Sequence, residues 1–320
     1  MTDQLELTEQ QTTRTTKAIA ATVAALVILA FMSILVRVSE SETSPNTTVF
    51  NFSWIGTALL LLWNGLLTLQ ARGRGFVKDV PIKQSLYTLK NKLLLLAMGL
   101  STTGISMFWT WSLTKTSVAN SDLLHAGGTP IFTTLGGWIF LGQQFDRSFV
   151  IGVGIALAGV VGIGLEDISI AAEKLEGDGL AVLSSLCWAV SLLIREKLRT
   201  QFTATTVTLW CFALSTLFVL PILFVTGDEL FPHSWSSWLS SIFIGLGEVL
   251  NMMLTAYSLK WLSSRLVSTI LLLCPILAAI LAWAFFSETL SLLNLLGFVV
   301  ILLGIYLVIS AEGGVKTTAD

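Results

Sequence analysis

Two stretches of the 320-residue chain repeat each other inside strongly apolar sequence, and this constrains the fold more than any other feature. Pro130, Trp138, Gly152 and Gly159 return as Pro275, Trp283, Gly297 and Gly304, each 145 residues later. The pairs Ser112-Leu113 and Ser258-Leu259 stand 146 apart, so one residue is gained or lost between them. Both prolines fall near the middle of membrane-length runs. There a proline ring removes one backbone donor and pushes away the carbonyl one turn earlier, which predicts an interrupted helix in each copy. The fold is therefore expected to contain one hydrophobic unit used twice.

Composition says what surrounds that unit. Hydrophobic residues make up 54% of the chain and charged residues 12%. Soluble domains carry about 25% charged residues, so a normal water-facing surface cannot be covered here. Mean hydropathy is +0.80. These values predict an integral membrane protein and exclude a nucleic-acid partner. Cys187, Cys211 and Cys274 sit in apolar runs with no metal or disulfide spacing and read as packing residues. The first 17 residues are polar and lack a signal-peptide core, so they are expected to form a disordered cytoplasmic tail.

A helix crossing roughly 30 Å of hydrocarbon needs about 20 mostly apolar residues. Ten runs qualify: 18–36, 48–69, 93–113, 117–141, 148–165, 179–196, 204–226, 237–259, 263–286 and 290–310. They are continuous rather than alternating, which favours helices over a barrel. With the amino terminus inside, 15 of the 18 Lys and Arg residues fall in inside segments, and Arg37, Lys115 and Lys174 fall outside. The bias predicts that both termini are cytoplasmic.

Five runs precede an acidic external linker at 166–178 and five follow it. An odd number per half turns the second copy upside down relative to the first, about a pseudo-two-fold axis in the membrane plane. The expected organisation is thus a tail (1–17), a first five-helix repeat (18–165), the linker (166–178), a second repeat (179–310) and a cytoplasmic tail (311–320). Fainter echoes match Ser33 and Arg37 with Ser191 and Arg195, and Trp111 with Tyr257.

Several motifs recur between the halves. The first copy reads Trp111-Ser112-Leu113, Ser117-Val118-Ala119-Asn120, Pro130, Leu141-Gly142-Gln143 and Gly152. The second reads Tyr257-Ser258-Leu259, Ser263-Ser264, Pro275, Phe286-Ser287-Glu288 and Gly297. This pattern resembles the drug/metabolite transporter superfamily, in particular proteins with two EamA-type repeats, over residues 18–310. Gln143 departs from the usual Glu, whereas Glu288 keeps it. The resemblance implies a ten-helix permease that moves a small metabolite or drug by alternating access, in many members outward. It also implies a cavity between the repeats, lined by the first, third, fourth, sixth, eighth and ninth spans.

Candidate residues follow from polar groups at membrane depth. Glu248 is the one acidic residue near the centre of an expected span, and Asn251 shares its face. Glu248 is expected to bind a cationic group or carry a coupling proton. Asp122 and His125 lie three residues apart near Asn120, where a carboxylate beside an imidazole is either a proton relay or a solvated mouth of the cavity. Trp235, Trp238 and Trp261 fit an interfacial belt, while Trp109, Trp111, Trp138, Trp188 and Trp210 lie deeper. Of the aromatics, Trp111, Trp188 and Tyr257 are cavity candidates. Pro130 and Pro275 are hinge candidates, with Gly127 and Gly128 loosening the first. Gly152, Gly159, Gly297 and Gly304, spaced seven apart, are expected to permit close helix packing. Asn46-Thr47-Thr48 fits a glycosylation pattern that is common by chance.

The function expected is a secondary transporter, exporter or exchanger, in the plasma membrane, with a small solute and optional proton coupling. No Gly-rich phosphate loop, Gly-x-Ser-x-Gly or His-Glu-x-x-His is present, so neither nucleotide-driven pumping nor enzymatic activity is expected, and no cofactor or metal. A membrane-embedded enzyme, a channel and a receptor are the competing classes. The repeat lets one chain form the cavity, so a monomer is expected, a homo-oligomer being left open.

Overall fold

A computed structural model describes residues 2–39, 42–73, 88–116, 118–142, 147–164, 172–286 and 292–310, and every regular element among them is an α-helix. In chain order these are α1 (Thr2–Ser39), α2 (Pro45–Gly73), α3 (Leu89–Leu113), α4 (Val118–Leu141), α5 (Arg147–Gly164) and α6 (Ala172–Leu198). There follow α7 (Ala204–Thr226), α8 (Trp235–Ser258), α9 (Ser264–Leu271), α10 (Cys274–Phe286) and α11 (Leu292–Ser310). Six of them, α1, α2, α3, α6, α7 and α8, contain segments long and apolar enough to cross a membrane.

Local chemistry sets several of the ends. Thr88, Thr203, Ser234 and Ser263 cap α3, α7, α8 and α9, each side chain accepting a hydrogen bond from the backbone N–H three residues on. Such caps contribute about 1 kcal/mol apiece. α7 stops at Gly227, which takes the left-handed conformation (φ 71°) and returns its N–H to Leu223.

Three expectations need correction. The polar amino-terminal residues are not a tail: α1 begins at Thr2, because a Leu-, Glu- and Gln-bearing run carries good helix formers that extend the apolar helix. The linker is likewise shortened, since α6 starts at Ala172; residues 165–171 and the closing tail 311–320 lie outside the described residues. Finally, the two prolines behave differently. α4 continues through Pro130, whereas the run 263–286 is divided at Leu272 and Leu273 into α9 and α10. At the division, the N–H of Leu272 turns to Ser268 and Thr269 and that of Leu273 to Ile270, a tightening just ahead of Pro275. The residues before each proline differ: Gly127-Gly128-Thr129 in the first copy, Leu272-Leu273-Cys274 in the second. Thr129 and Thr133 add hydroxyl bonds to the carbonyls of His125, Thr129 and Pro130, which Cys274 has no hydroxyl to supply.

Packing between the halves is two-fold in pattern. α3 packs on α6 as α8 packs on α1, and α4 packs on α6 as α9 and α10 pack on α1. α2 meets α8 as α7 meets α3, while the α2–α7 and α5–α11 pairs are their own counterparts. The polar residues face inward: Thr22, Ser33, Asn51, Thr102, Ser184, Ser191 and Ser215 are buried. Large apolar side chains face outward, among them Leu62, Trp63 and Leu66 on α2 and Leu302, Leu303 and Tyr306 on α11. That inverts the arrangement of a water-soluble protein and suits lipid as solvent. Trp138, read from sequence as deep, is 57% exposed, and its repeat mate Trp283 is 55% exposed, so both point away from the core.

Glycine sets the closest helix crossing. A Cβ placed on Gly304 of α11 would strike the backbone of Gly152 and Ala156 on α5. Gly152, Gly159 and Gly297 are buried in the same pair of helices. Gly154, by contrast, faces open space. Gly304→Val is therefore expected to destabilise by about 1–3 kcal/mol, seen as a lower unfolding temperature in detergent. Gly154→Ala should raise or hold that temperature, because alanine favours a helix by about 1 kcal/mol over glycine. Equal effects from the two variants would contradict the packing described.

Candidate solute cavity

A cavity of about 60 Å³ lies where the two halves meet, walled by α1, α3, α4, α6, α8 and α10 with Phe52 of α2. That volume holds only a few waters and is well below the roughly 300–1,000 Å³ of ordinary small-molecule sites. Its chemistry is uneven. One side carries Asp122, His125, Trp109 and Ser33, and the other Arg195, Glu248 and Asn251.

On the first side, Trp109 Nε1 donates to Asp122 Oδ1 at 2.8 Å, and Ser33 of α1 flanks the same carboxylate. Asp122 is buried, and its Oδ2 has no hydrogen-bond partner among the described residues. One turn further along α4, the His125 ring stacks on Trp188, with centroids 4.5 Å apart and planes 14° from parallel. The Trp109 ring also lies against His125, with centroids 5.9 Å apart and planes tilted by 33°. Ser184 of α6 reaches His125 Nδ1 at 2.9 Å and donates to the Ile105 carbonyl at 2.8 Å. Gly128 allows α4 to come this near, since a Cβ there would meet the Ser185 side chain.

On the second side, Glu248 is half-buried against the cavity, with the Asn251 side chain bonded to it and Arg195 as its electrostatic partner. Arg195 is 3% exposed and extends from α6 to Thr102 Oγ1 and Met252 Sδ, each at 3.5 Å. Its Nε has no partner among the described residues, which leaves the guanidinium incompletely satisfied by them.

Of the residues singled out from sequence, the structure brings Asp122, His125, Trp188, Glu248 and Asn251 into this one cavity. The side chain of Asn120 and residues 287–290, with Glu288, lie outside the described residues, as does Gln143. Trp111 and Tyr257 do not line the cavity. Trp111 sits a half-turn past Trp109 and donates to Asn46 Oδ1 at 2.7 Å, and Tyr257 packs beside the cluster of Leu259, Leu262 and Trp188. Asn46 is buried and bonded to Asp228 as well, which disqualifies it as a glycosylation acceptor. Pro130 is buried within α4, and Pro275 begins α10 beside Cys274, a cavity residue. Sequence reasoning missed Trp109, Ser184 and Arg195. Arg195, at the end of the run 179–196, reads from sequence as a cytoplasmic charge, whereas its side chain is buried in the cavity wall. α6 continues to Leu198, which turns Arg195 into the wall. The echo between Arg37 and Arg195 was the available signal. Among the described residues no group of three or more His, Cys, Asp or Glu side chains could hold a metal.

At the end of the bundle bearing the α1–α2 turn, the two halves are clasped. Glu42 Oε2 accepts from Ser234 and Ser236 at 2.8 Å and from Ser237 at 2.5 Å, at the amino end of α8. Asn46 Nδ2 donates to Asp228 Oδ2 at 2.6 Å, Thr47 to the Glu229 carbonyl at 2.6 Å, and Asn51 to the Leu230 carbonyl at 2.9 Å. Glu229 also pairs with His233. The opposite end has a counterpart in the 2.7 Å bond from Asn91 to Gln201.

Taken together, these features define a polytopic helical membrane protein with a charged cavity between two similarly packed halves. The family model of the EamA-like transporter family matches residues 16–165 and again 175–310, and the chain belongs to that family. No curated protein matches it. One solved crystal structure is similar with a TM-score of 0.69 and 17% identity, covering 91% of this chain and 96% of that one, a likeness that concerns the fold alone.

The clasp makes a pH prediction. The hydroxyls of Ser237, Ser234 and Ser236 hold the Glu42 carboxyl below its ordinary range, and Thr226, Asn46 and Ser44 do the same for Asp228. A depressed native pKa contributes stability that is complete above the unfolded value and is lost as pH falls through the native one. Glu42→Gln should thus unfold at a lower temperature than the parent at pH 5–7, and the gap should close below about pH 4 as the parent protonates. A gap that stays constant to pH 3 would contradict this role.

Proposed function

We propose that the protein is a secondary carrier that moves a small organic solute by alternating access through the central cavity. In this reading α9 and α10 together make one pass, giving ten passes in two inverted five-helix repeats, 18–165 and 179–310, with both termini cytoplasmic. The clasp at Glu42 and Asp228 then lies on the external face. The observation that carries the reading is the convergence of Asp122 and His125 from the first half with Arg195 and Glu248 from the second in one membrane-depth cavity. Charged groups are costly at that depth and are found facing solute or ion pathways.

The cavity as described is too narrow for a solute, so transport requires the halves to part at one end at a time. Symmetric packing gives each end the same kind of contacts, so opening one and closing the other exchanges near-equivalent arrangements. Glu248 is suited to couple a proton, being a carboxylate at the cavity wall with an amide and a guanidinium beside it. The direction proposed is export or exchange across the plasma membrane, as the family resemblance implies.

Labelled solute, chosen by a thermal-stabilisation screen, should show trans-stimulated counterflow in proteoliposomes. Its absence, with leak that rises linearly with concentration, would favour a channel. With Glu248→Gln, uptake driven by a pH gradient should fall at least about tenfold while counterflow persists. Full pH-driven uptake by that variant would remove Glu248 from the coupling.

A further inference from the structure

The bonds around His125 fix which of its nitrogens carries the proton. The Ser184 hydroxyl has one hydrogen, and it is given to the Ile105 carbonyl. The 2.9 Å contact with His125 Nδ1 therefore requires the ring to donate from Nδ1. In the neutral ring, Nε2 is then a lone-pair acceptor. Stacking on Trp188 holds the ring in that orientation. Beside it, the buried Asp122 carboxylate takes hydrogen bonds from Trp109 and Ser33, and its Oδ2 is a second acceptor with no donor among the described residues. Among the side chains described, no cationic group is paired with Asp122, whereas Glu248 has Arg195. The charged and titratable groups of the cavity are Asp122, His125, Arg195, Glu248 and Cys274. Thus one anion is already answered within the protein and the other is not.

We propose that the corner formed by Asp122, His125, Trp109 and Trp188 is a recognition subsite for a primary or secondary organic ammonium group. Ser184 is the positioning residue that keeps His125 an acceptor. Asp122 Oδ2 supplies the charge and one acceptor, and His125 Nε2 supplies the second. The indoles of Trp109 and Trp188 offer π faces to the cation and apolar surface to the body of the solute. A quaternary ammonium has no N–H to give and fills only the charge requirement. An anion meets the unanswered carboxylate and is rejected. This inference rests on the carrier reading for its setting, but its test does not depend on transport.

The purified full-length chain is titrated with 2-phenylethylammonium, its N,N,N-trimethyl analogue, 3-phenylpropionate and phenylalanine, with binding followed by calorimetry and thermal stabilisation. The primary ammonium should bind at least about tenfold more tightly than the carboxylate, and Asp122→Asn should abolish that preference. Ser184→Ala should reduce the preference for the primary over the trimethylated amine by roughly three- to tenfold, the worth of one hydrogen bond. A merely structural serine would weaken both amines alike. Equal or tighter binding of 3-phenylpropionate, or tenfold tighter binding of phenylalanine, would overturn the proposal, as would an unchanged amine ratio in Ser184→Ala. The wild-type probe series decides the matter even if Asp122→Asn does not fold. Counterflow of the same probes separates the two readings. Ammonium binding without counterflow would sink the carrier and keep the subsite, whereas counterflow of the anion alone would do the reverse.

Discussion

Hydrocarbon offers no hydrogen-bond partner, and the placement of polar side chains throughout this protein answers to that fact. Many are satisfied within their own helix: Thr22 donates to the Ala18 carbonyl, Thr103 to Gly99 and Thr110 to Ser106. A second set pairs across helices, as in Ser53 with Ser215, Ser112 with Ser121 and Thr133 with Ser268. These bonds tie first-half helices to one another and to the second half. Among the described buried atoms without a hydrogen-bond partner are Asp122 Oδ2, Arg195 Nε and Asn251 Oδ1, whose residues line one cavity, while Thr134, Ser191, Thr208 and Ser241 leave hydroxyls unpaired elsewhere in the bundle.

Much of this was legible in the chain before any coordinates. Matched Pro130 and Pro275, Gly152 and Gly297, Gly159 and Gly304 announce a duplicated unit, and the family match in two consecutive segments shows it. Glu248 and Asn251 were readable because a carboxylate and an amide one turn apart in apolar sequence have few structural explanations. The less legible residues failed for definite reasons. Trp109 and Trp111 differ by two positions and hence by more than half a helical turn, so only the register tells which faces the cavity. Ser184 looks like any small packing residue until its hydroxyl is seen between Ile105 and His125. Arg195 falls at the end of its apolar run, where an arginine reads as an interfacial charge and helix ends are the least determined part of the run.

The cavity also shows how a symmetric scaffold supports asymmetric chemistry. At the 146-residue offset that relates Ser112 to Ser258, the counterpart of Glu248 is Thr102. Arg195 donates to Thr102 and is the electrostatic partner of Glu248, so the guanidinium spans the two equivalent positions. The first half supplies Asp122, His125 and Trp109 to a corner that Trp188 of the second half completes, and the second half has no equivalent, since Val267 and Ile270 stand at the positions of Asp122 and His125. Packing is shared between the halves, while recognition is divided between them. A carrier needs both, because the scaffold must exchange between equivalent states around a site that does not change its preference.

The central claim is that the halves part and rejoin at alternate ends around this cavity. Asn46 and Asp228, whose side chains meet at 2.6 Å across the clasp, allow a direct test. With Cys187, Cys211 and Cys274 replaced, cysteines at positions 46 and 228 can be joined by a short cleavable bis-thiol reagent and counterflow followed in proteoliposomes. The account predicts that the joined protein binds solute from one side only and carries none, with transport restored on cleavage. Undiminished counterflow through the joined protein would contradict it.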